Sequence, residues 1–370
     1  TERLPNFVRE YEASAEILDS YGVKLGKVAC MEEYPSSVEQ FCGLINVGYY
    51  IQCYRDGKYQ LEWPLENMFD ADSMISNILD IALAAEIPKI TTKQCRRDQA
   101  LEARGKRNLL VGYFRNVGTY EHRNFMEIGH KYVDTVDFAA TDSQRAVSDL
   151  PWFDPFDDAA IWVFFCKEAQ GNNLCQVVKH MGAKCQGELS NLVSILDLPA
   201  IHDVPADGDM DPYKGKEIHR IVAFYDSQNE DYVKGIAVEA SSRLRGFLGI
   251  LLVNVDETDA KSYGYDPDLK TPSMYLQIRG SDEKLYKPGD KINYEFVSEQ
   301  LGSLHPGLEE FMRDDYVNGY NRVLDDYDDR SFEPDVEKED SPLAAEEWRL
   351  RWQEPMETLD KTNLHPLNDV

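Results

Sequence analysis

The sequence predicts an α/β protein of three tandem units followed by an acidic tail, and three observations support this. A block of strand, charged turn, strand and helix recurs three times, at a spacing of about 110 residues. Each block follows a continuous apolar strand, which indicates a sheet covered on both faces and is typical of parallel central strands. The length of 370 residues also exceeds what one core usually organises.

The first unit begins at a helix. Its elements are predicted at residues 7–19 (helix), 23–30, 49–54 and 59–63 (strands), and 70–81 (helix). Asp56 and Gly57 lie between the last two strands, and glycine readily takes the positive φ that tight hairpin turns require. These strands are therefore expected to pair, whereas the unit lacks the opening strands that its two successors have.

The second and third units each have the order β-α-β followed by β-β-α. The predicted strands end near 114, 142, 166 and 178 in the second unit and near 225, 256, 278 and 286 in the third; the helices span 121–132, 188–196, 231–248 and 292–301. A parallel half joined to an antiparallel hairpin is the thioredoxin arrangement, because right-handed crossovers leave few other topologies. We place the units at residues 1–90, 91–198 and 199–310, and the tail at 311–370.

Two positions that matter for this fold can be read from the sequence. The strand-to-helix junctions at residues 111–118 and 222–229 contain no cysteine, and the chain has no C-x-x-C. Thiol chemistry needs such a pair, with a lowered pKa at a helix N-terminus, so binding or scaffolding is predicted and enzymatic turnover is not. Pro272 stands where the fold has its cis-proline, with an ordinary trans-proline at a strand start as the alternative.

Charge excludes several classes of partner. The chain has 39 basic and 67 acidic residues, and its net charge of -28 repels nucleic acids and anionic membranes at long range. It has no apolar run of about 20 residues, and its first residues do not form a signal peptide, so a processed or incomplete start stays open. We expect protein partners in a homo- or hetero-assembly, no membrane insertion, and no cofactor other than diffusely held calcium.

Seven cysteines all lie in the first half of the chain, at positions 30, 42, 53, 95, 166, 175 and 185. Cys30 ends a predicted strand and Cys42 lies in the predicted helix that follows it, while Cys166 and Cys175 flank a turn. Short loops of this kind suit structural disulfides in an oxidising compartment, and unpaired buried cysteines in a cytosolic protein are the alternative. The odd number leaves one thiol without a partner in this chain.

Two aromatic segments are candidate interaction surfaces. Trp152, Phe153 and Phe156 lie in a loop rich in proline and aspartate, where exposed rings favour a protein contact. Packing over the core of the second unit is the alternative. Trp348 and Trp352 belong to a stretch of the acidic tail with helical spacing, for which docking on a neighbour and disorder are both open.

No metal or catalytic site is predicted. Residues 207–211 have the alternating aspartates that open a calcium loop, but Pro212 and Ile218 occupy the places of the required glycine and bidentate acid. The seven histidines are scattered, without a nucleophile or a second ligand at usable spacing. His122 lies at a helix start, where a capping or solvent role is the favoured interpretation.

Several motifs resemble the family of thioredoxin domain-containing protein 16, a multidomain family of the secretory pathway. They are YGV at 21–23, KVAC at 27–30, EQFCG at 39–43, WP at 63–64, FRNVGTYEHR at 114–123, FFCK at 164–167 and CQ at 175–176. The resemblance implies an endoplasmic reticulum or secreted location, disulfides Cys30–Cys42 and Cys166–Cys175, and a chain that is part of a longer protein. Cys53, Cys95 and Cys185 match no position of the family, so their pairing stays open.

Residues 111–115 and 137–143 are also similar to the second domain of calsequestrin, although the aspartate-only tail of that family is absent. Protein disulfide isomerases share the predicted fold and have the reactive cysteines that are lacking here. The leading hypothesis is a redox-inactive protein that acts by protein binding or assembly. The alternatives are a low-affinity calcium-binding protein and a thiol-disulfide isomerase whose active domain lies outside this chain.

Overall fold

The structure is a computed structural model. It describes residues 3–28, 50–64, 68, 70–169, 175–180, 185–206, 211–268, 270–280, 284–288, 296, 297, 299 and 301. Cys30, Cys42, Trp348, Trp352 and the calcium-loop candidate at 207–210 therefore lie outside the described residues, as does the tail at 311–370.

Within its described residues, the first unit contains two helices and one hairpin. Its elements are α1 (Arg3–Asp19), β1 (Tyr50–Arg55), β2 (Lys58–Pro64) and α2 (Ala71–Ala82). β1 and β2 pair antiparallel around a turn in which Asp56 and Gly57 both have positive φ, so the predicted hairpin is confirmed. The predicted strand at 23–30 is wrong over residues 23–28, because the described sheet of this unit contains only β1 and β2 and offers those residues no neighbouring strand.

The second unit is built around a four-stranded sheet. Its elements are α3 (Lys93–Ala103), β3 (Leu109–Phe114), α4 (Tyr120–Tyr132), β4 (Asp137–Thr141), α5 (Gln144–Val147), β5 (Ala159–Phe165), β6 (Gln176–His180) and α6 (Gln186–Ile195). The strand order is β4-β3-β5-β6, with β3 and β4 parallel and the other pairs antiparallel. A parallel bridge from Lys89 to Ala140 marks the position of an opening strand beside β4.

The third unit has a five-stranded sheet. Its elements are β7 (Ile201–Asp203), β8 (His219–Tyr225), α7 (Glu230–Leu244), β9 (Leu248–Asn254), a 3-10 turn (Ala260–Tyr263), β10 (Ser273–Gln277) and β11 (Lys284–Pro288). The strand order is β11-β10-β8-β9-β7, with β7, β8 and β9 parallel. The predicted helix at 231–248 ends early because Gly246 takes a φ of 84° and β9 begins at Leu248.

The helix predicted at 292–301 is described at four positions. Residues 296, 297, 299 and 301 are helical, and Phe296, Val297 and Leu301 are buried against the sheet of the third unit. A helix after the hairpin half is what the predicted unit requires.

Three apolar clusters pack these units among the described residues. Leu18, Ile75 and Leu79 from the first unit pack in the same cluster as Phe125 and Phe138 from the second. β3, β8 and β9 are buried along nearly their whole length, as expected for strands covered on both faces. The predicted α/β fold of tandem thioredoxin-like units is confirmed, and none of the helices in the described part of the chain combines the length and apolar character that crossing a bilayer requires.

Candidate functional site

The junction of the second unit connects β3 to α4 through residues 115–119. Thr119 caps α4, since its side chain accepts a hydrogen bond from the backbone N–H of His122. Gly118 precedes it with a φ of 86°, a conformation that glycine adopts without the steric cost of a Cβ. Gly118 is buried, although Arg115, Asn116 and Val117 before it are exposed.

Helix α2 of the first unit covers this junction. A Cβ added at Gly118 would lie 3.1 Å from Asn77 Nδ2 and 3.3 Å from Ser73 Cβ. Arg123, in the first turn of α4, donates to Asp72 across the contact at 2.6 Å. The helix start that would carry a reactive thiol in this fold is therefore packed against another unit.

His122 of α4 is a buried part of the contact between this junction and α2. Its side chain is 1% exposed, its Nδ1 accepts the Gly118 N–H at 3.2 Å, and its ring lies 4.9 Å from the Phe114 ring. With Nδ1 accepting, the proton is on Nε2, which faces Asp80 Oδ1 at 3.3 Å. The sequence favoured a capping or solvent role for His122, and the solvent alternative is wrong because the ring is buried. His122 joins the two units through Asp80.

The junction of the third unit connects β8 to α7 and is filled differently. Asp226 Oδ1 accepts from the backbone N–H of Gln228 at 2.9 Å and from Asn229 Nδ2 at 2.7 Å, while Oδ2 accepts from the Thr271 hydroxyl. The Thr271 hydrogen bond is the main cause of the lowered pKa of Asp226. Ser227 and Gln228 at the tip are exposed, so this junction faces solvent.

The Thr271–Pro272 peptide bond, which precedes β10, is cis. The Thr271 side chain that reaches Asp226 thus belongs to the residue immediately before that bond. This hydrogen bond connects the cis-proline segment to the junction loop at this end of the sheet.

Cys166 and Cys175 form a disulfide with an S–S distance of 2.06 Å, and it connects the end of β5 to the start of β6. Cys53, Cys95 and Cys185 are unpaired where the structure describes them. Burial raises the pKa of the Cys53 thiol, which disfavours the reactive thiolate there.

The aromatic loop divides into a packed part and an exposed part. Phe153 packs edge-on against Tyr113 at 5.9 Å and near Trp162 at 6.5 Å, and Trp152 packs beside the core shared with the first unit. Phe156 is 80% exposed. Of the three rings, only Phe156 is placed to contact another molecule without rearrangement.

A surface cleft of about 630 Å³ lies where α1, α4 and α6 meet. Its lining is polar and mixed in charge, including Tyr21, Glu127, His130, Lys131 and Gln186. Burial, with a further contribution from the negative charge of Glu127, raises the pKa of Tyr21 to about 12, so its hydroxyl stays protonated. Among the residues that the structure describes, no cluster of three His, Cys, Asp or Glu side chains is placed to hold a metal ion.

Two family models match the chain. The model described as TXNDC16 N-terminal matches residues 1–79, and the model described as TXNDC16 second thioredoxin-like domain matches residues 81–199. Human thioredoxin domain-containing protein 16 is 25% identical over 161 residues, which is 44% of this chain and 19% of that protein. The chain thus spans about a fifth of this relative's length.

Three solved structures show low overall similarity. ERdj5 form II is 13% identical, with 83% of this chain and 40% of that chain covered and a TM-score of 0.34. The bb fragment of ERp72 is 12% identical, and the match covers 60% of this chain and 97% of that chain, with a TM-score of 0.27. The zinc-bound form of human ERp44 is 12% identical, and the match covers 73% of this chain and 74% of that chain, with a TM-score of 0.28.

Proposed function

The chain belongs to the family of thioredoxin domain-containing protein 16, and on that basis we propose that it is a redox-inactive protein of the secretory pathway that acts by binding other proteins. Its thioredoxin-like units serve as surfaces and spacers. Homo- or hetero-assembly is the form in which we expect it to act.

The observation that carries this proposal is the covered junction of the second unit. A thiol enzyme needs a sulfur at the helix start and an open path for the substrate disulfide. Here the corresponding turn contains Gly118 and Thr119, and Ser73 and Asn77 of α2 occupy the approach. Neither requirement is met at this position.

The open junction of the third unit is the surface that we assign to partner binding. Ser227 and Gln228 are exposed, and Asp226 is held in place by three hydrogen bonds. A polar loop with a fixed backbone loses little conformational entropy when it binds, which favours recognition by a protein partner.

An insulin reduction assay with a dithiol as reductant tests the redox part of the proposal. We expect the chain to give the uncatalysed rate. The matched control replaces the unpaired thiols by serine at Cys53, Cys95 and Cys185 and is expected to give the same rate. A rate comparable to that of a disulfide isomerase, lost in the serine variant, would contradict the proposal.

Photocrosslinking tests the binding part. A crosslinker is attached through Ser227→Cys in the background without the three unpaired thiols, and through Lys216→Cys as the control. Lys216 is exposed and precedes β8, so it lies at the opposite end of that strand from Ser227. Specific adducts with proteins of a secretory-pathway extract are expected at Ser227 only, and equal labelling at both sites would refute the assigned surface.

Calcium binding is the second candidate function, and the net charge of -28 favours it. Scattered surface carboxylates would hold calcium weakly and in large number, since no built cage is found among the described residues. Equilibrium dialysis decides: one or two ions per chain would eliminate storage as a function, and many would support it.

A further inference from the structure

A loop of the third unit lies on the hairpin of the second unit. This loop, residues 245–247, connects α7, which ends at Leu244, to β9, and Arg245 at its start is 9% exposed. The guanidinium carbon of Arg245 lies 4.1 Å from the centroid of the Phe165 ring. Its Nη2 donates to Glu168 at 2.5 Å, and its Nη1 donates to Gln176 at 3.3 Å.

Two further contacts extend this interface. Gln176 Nε2 donates to the Ser242 carbonyl at 2.6 Å. The rings of His180 and Phe247 stack with centroids 4.7 Å apart and planes 9° from parallel. One side of the interface is thus the end of β5, Glu168 and β6, and the other side is the last turn of α7 with the loop that follows it.

The side chains that contact Arg245 all lie within two residues of Cys166 or Cys175. Phe165 immediately precedes Cys166, Glu168 is two residues after it, and Gln176 immediately follows Cys175. The disulfide joins the ends of the turn that separates these three residues. The disulfide thus adds a covalent tie beside the ladder pair of Phe165 and Gln176, and it closes the loop that contains Glu168.

We propose that the Cys166–Cys175 disulfide is a redox-controlled latch that sets how firmly the third unit is held against the second. This goes beyond the proposed binding function, because it concerns the arrangement of the units and not their partners. The reductant is a dithiol. Its thiolate attacks Sγ of Cys175, which is the more exposed of the two residues, and the S–S bond breaks to release Cys166, which takes up a proton. The second thiol of the reagent then displaces Cys175, so one disulfide is reduced and one dithiol is oxidised.

Reduction loosens the contact for two physical reasons. Without the cross-link, Cys166 and Cys175 no longer tie the end of β5 to the start of β6, so the three partners of Arg245 are held in alignment less firmly. Arg245 needs that alignment, because its planar fork makes two charge-assisted hydrogen bonds in fixed directions. Its Nε is buried without a hydrogen-bond partner in the described part of the structure, so a small displacement leaves the buried charge poorly satisfied.

Hydrogen exchange of the full chain, with and without a dithiol, tests the proposal. We expect the backbone amides of residues 244–248 to exchange about tenfold faster after reduction, as loss of a charge-assisted hydrogen bond implies. The amides of β3 and β5 are expected to keep their protection. Arg245→Ala in the oxidised chain should reproduce the faster exchange.

Two variants complete the test. Cys166→Ala with Cys175→Ala reproduces the reduced state without touching the other cysteines. Lys167→Ala is the matched control, because Lys167 lies in the same turn but pairs with Asp197 of its own unit at 2.9 Å, so no change is expected at residues 244–248.

Two outcomes would overturn the latch. One is unchanged exchange at residues 244–248 in the reduced chain while Arg245→Ala accelerates it. The other is that β3 and β5 lose protection together with residues 244–248 when the oxidised chain is titrated with dithiol. The disulfide would then stabilise the whole second unit and not the contact with Arg245 in particular. The titration also decides the question if the double alanine variant does not fold.

Discussion

Gly118→Ala measures directly whether helix α2 covers the junction of the second unit. The change adds one Cβ at a buried residue with a φ of 86°. That atom would lie 3.1 Å from Asn77 Nδ2, 3.3 Å from Ser73 Cβ and 3.5 Å from Ser73 Cα. The Asn77 amide can move aside, but the Ser73 atoms belong to the helix and cannot move without it.

Two costs add up in this variant. The left-handed backbone costs about 1–2 kcal/mol for a residue with a Cβ. Crowding against a packed surface costs about 1–3 kcal/mol, and the lower end applies because one neighbour is flexible. We therefore expect the free energy of unfolding to fall by about 3 kcal/mol.

Gly105→Ala is the matched control. Gly105 lies in the same unit with a φ of 70°, and an added Cβ would meet only the Ala169 carbonyl oxygen at 3.8 Å, which is ordinary contact. Urea unfolding followed by circular dichroism should show Gly118→Ala to be less stable than Gly105→Ala by about 1 kcal/mol or more. Asn77→Ala in the Gly118→Ala background should recover part of the difference. Equal losses at the two glycines, with no recovery, would refute the packing of α2 on the junction.

Three further predictions concern single side chains. Gly249→Ala should lower the free energy of unfolding by about 2–3 kcal/mol in urea titrations, because its Cβ would lie 2.5 to 2.8 Å from three ring atoms of Tyr213; a neutral variant contradicts this packing. Arg96→Met should lower the free energy of unfolding by about 3 kcal/mol in the same assay, because it removes the buried guanidinium that lies 2.8 Å from the Asp149 carboxylate. A loss under 1 kcal/mol would show that the pair contributes no more than a surface salt bridge. Burial lowers the pKa of His180 from 6.5 to about 4. Between these pH values the unfolded chain binds a proton at His180 and the folded chain does not. The free energy of unfolding therefore falls by about 3 kcal/mol as the pH drops from 6.5 to 4. His180→Phe should remove that part of the pH dependence measured by thermal unfolding, and an unchanged profile would argue against the buried neutral ring.

Helices and strands with a periodic pattern of apolar residues, or with a turn motif beside them, could be predicted from the sequence. Elements that are held mainly by polar side-chain contacts could not. Helix α3 has the sequence KQCRRDQALEA, of which only Arg96 and Ala103 are buried. It has no apolar stripe and is held by the bidentate contact between Arg96 and Asp149, so periodicity gives no sign of it. The strand expected at 23–30 is wrong over residues 23–28 for the opposite reason: Val23, Leu25 and Val28 give it an apolar signal, but the described sheet contains no strand that would pair with its backbone.

The candidate site was only partly visible in the sequence. The missing cysteines at the two junctions can be read directly, as can the proline before β10. The cover over Gly118 cannot be predicted, because it is made by Ser73 and Asn77, small polar residues of another unit that carry no distinctive pattern. The partners of Arg245 could not be predicted either, since nothing in the sequence links its helix end to the β5–β6 hairpin.

The two junctions show how one position of a repeated fold can serve two purposes once it carries no thiol. In both units the sheet behind the junction is the buried part, so the loop at its edge is free to vary without loss of the core. In the second unit a glycine at this edge lets a helix approach closely, and the position becomes an internal contact through His122 and Asp80. In the third unit Asp226 and Thr271 fix the loop while its tip stays in solvent. The closed junction is thus a contact between the first two units, and the open one is the surface that we propose for partner binding.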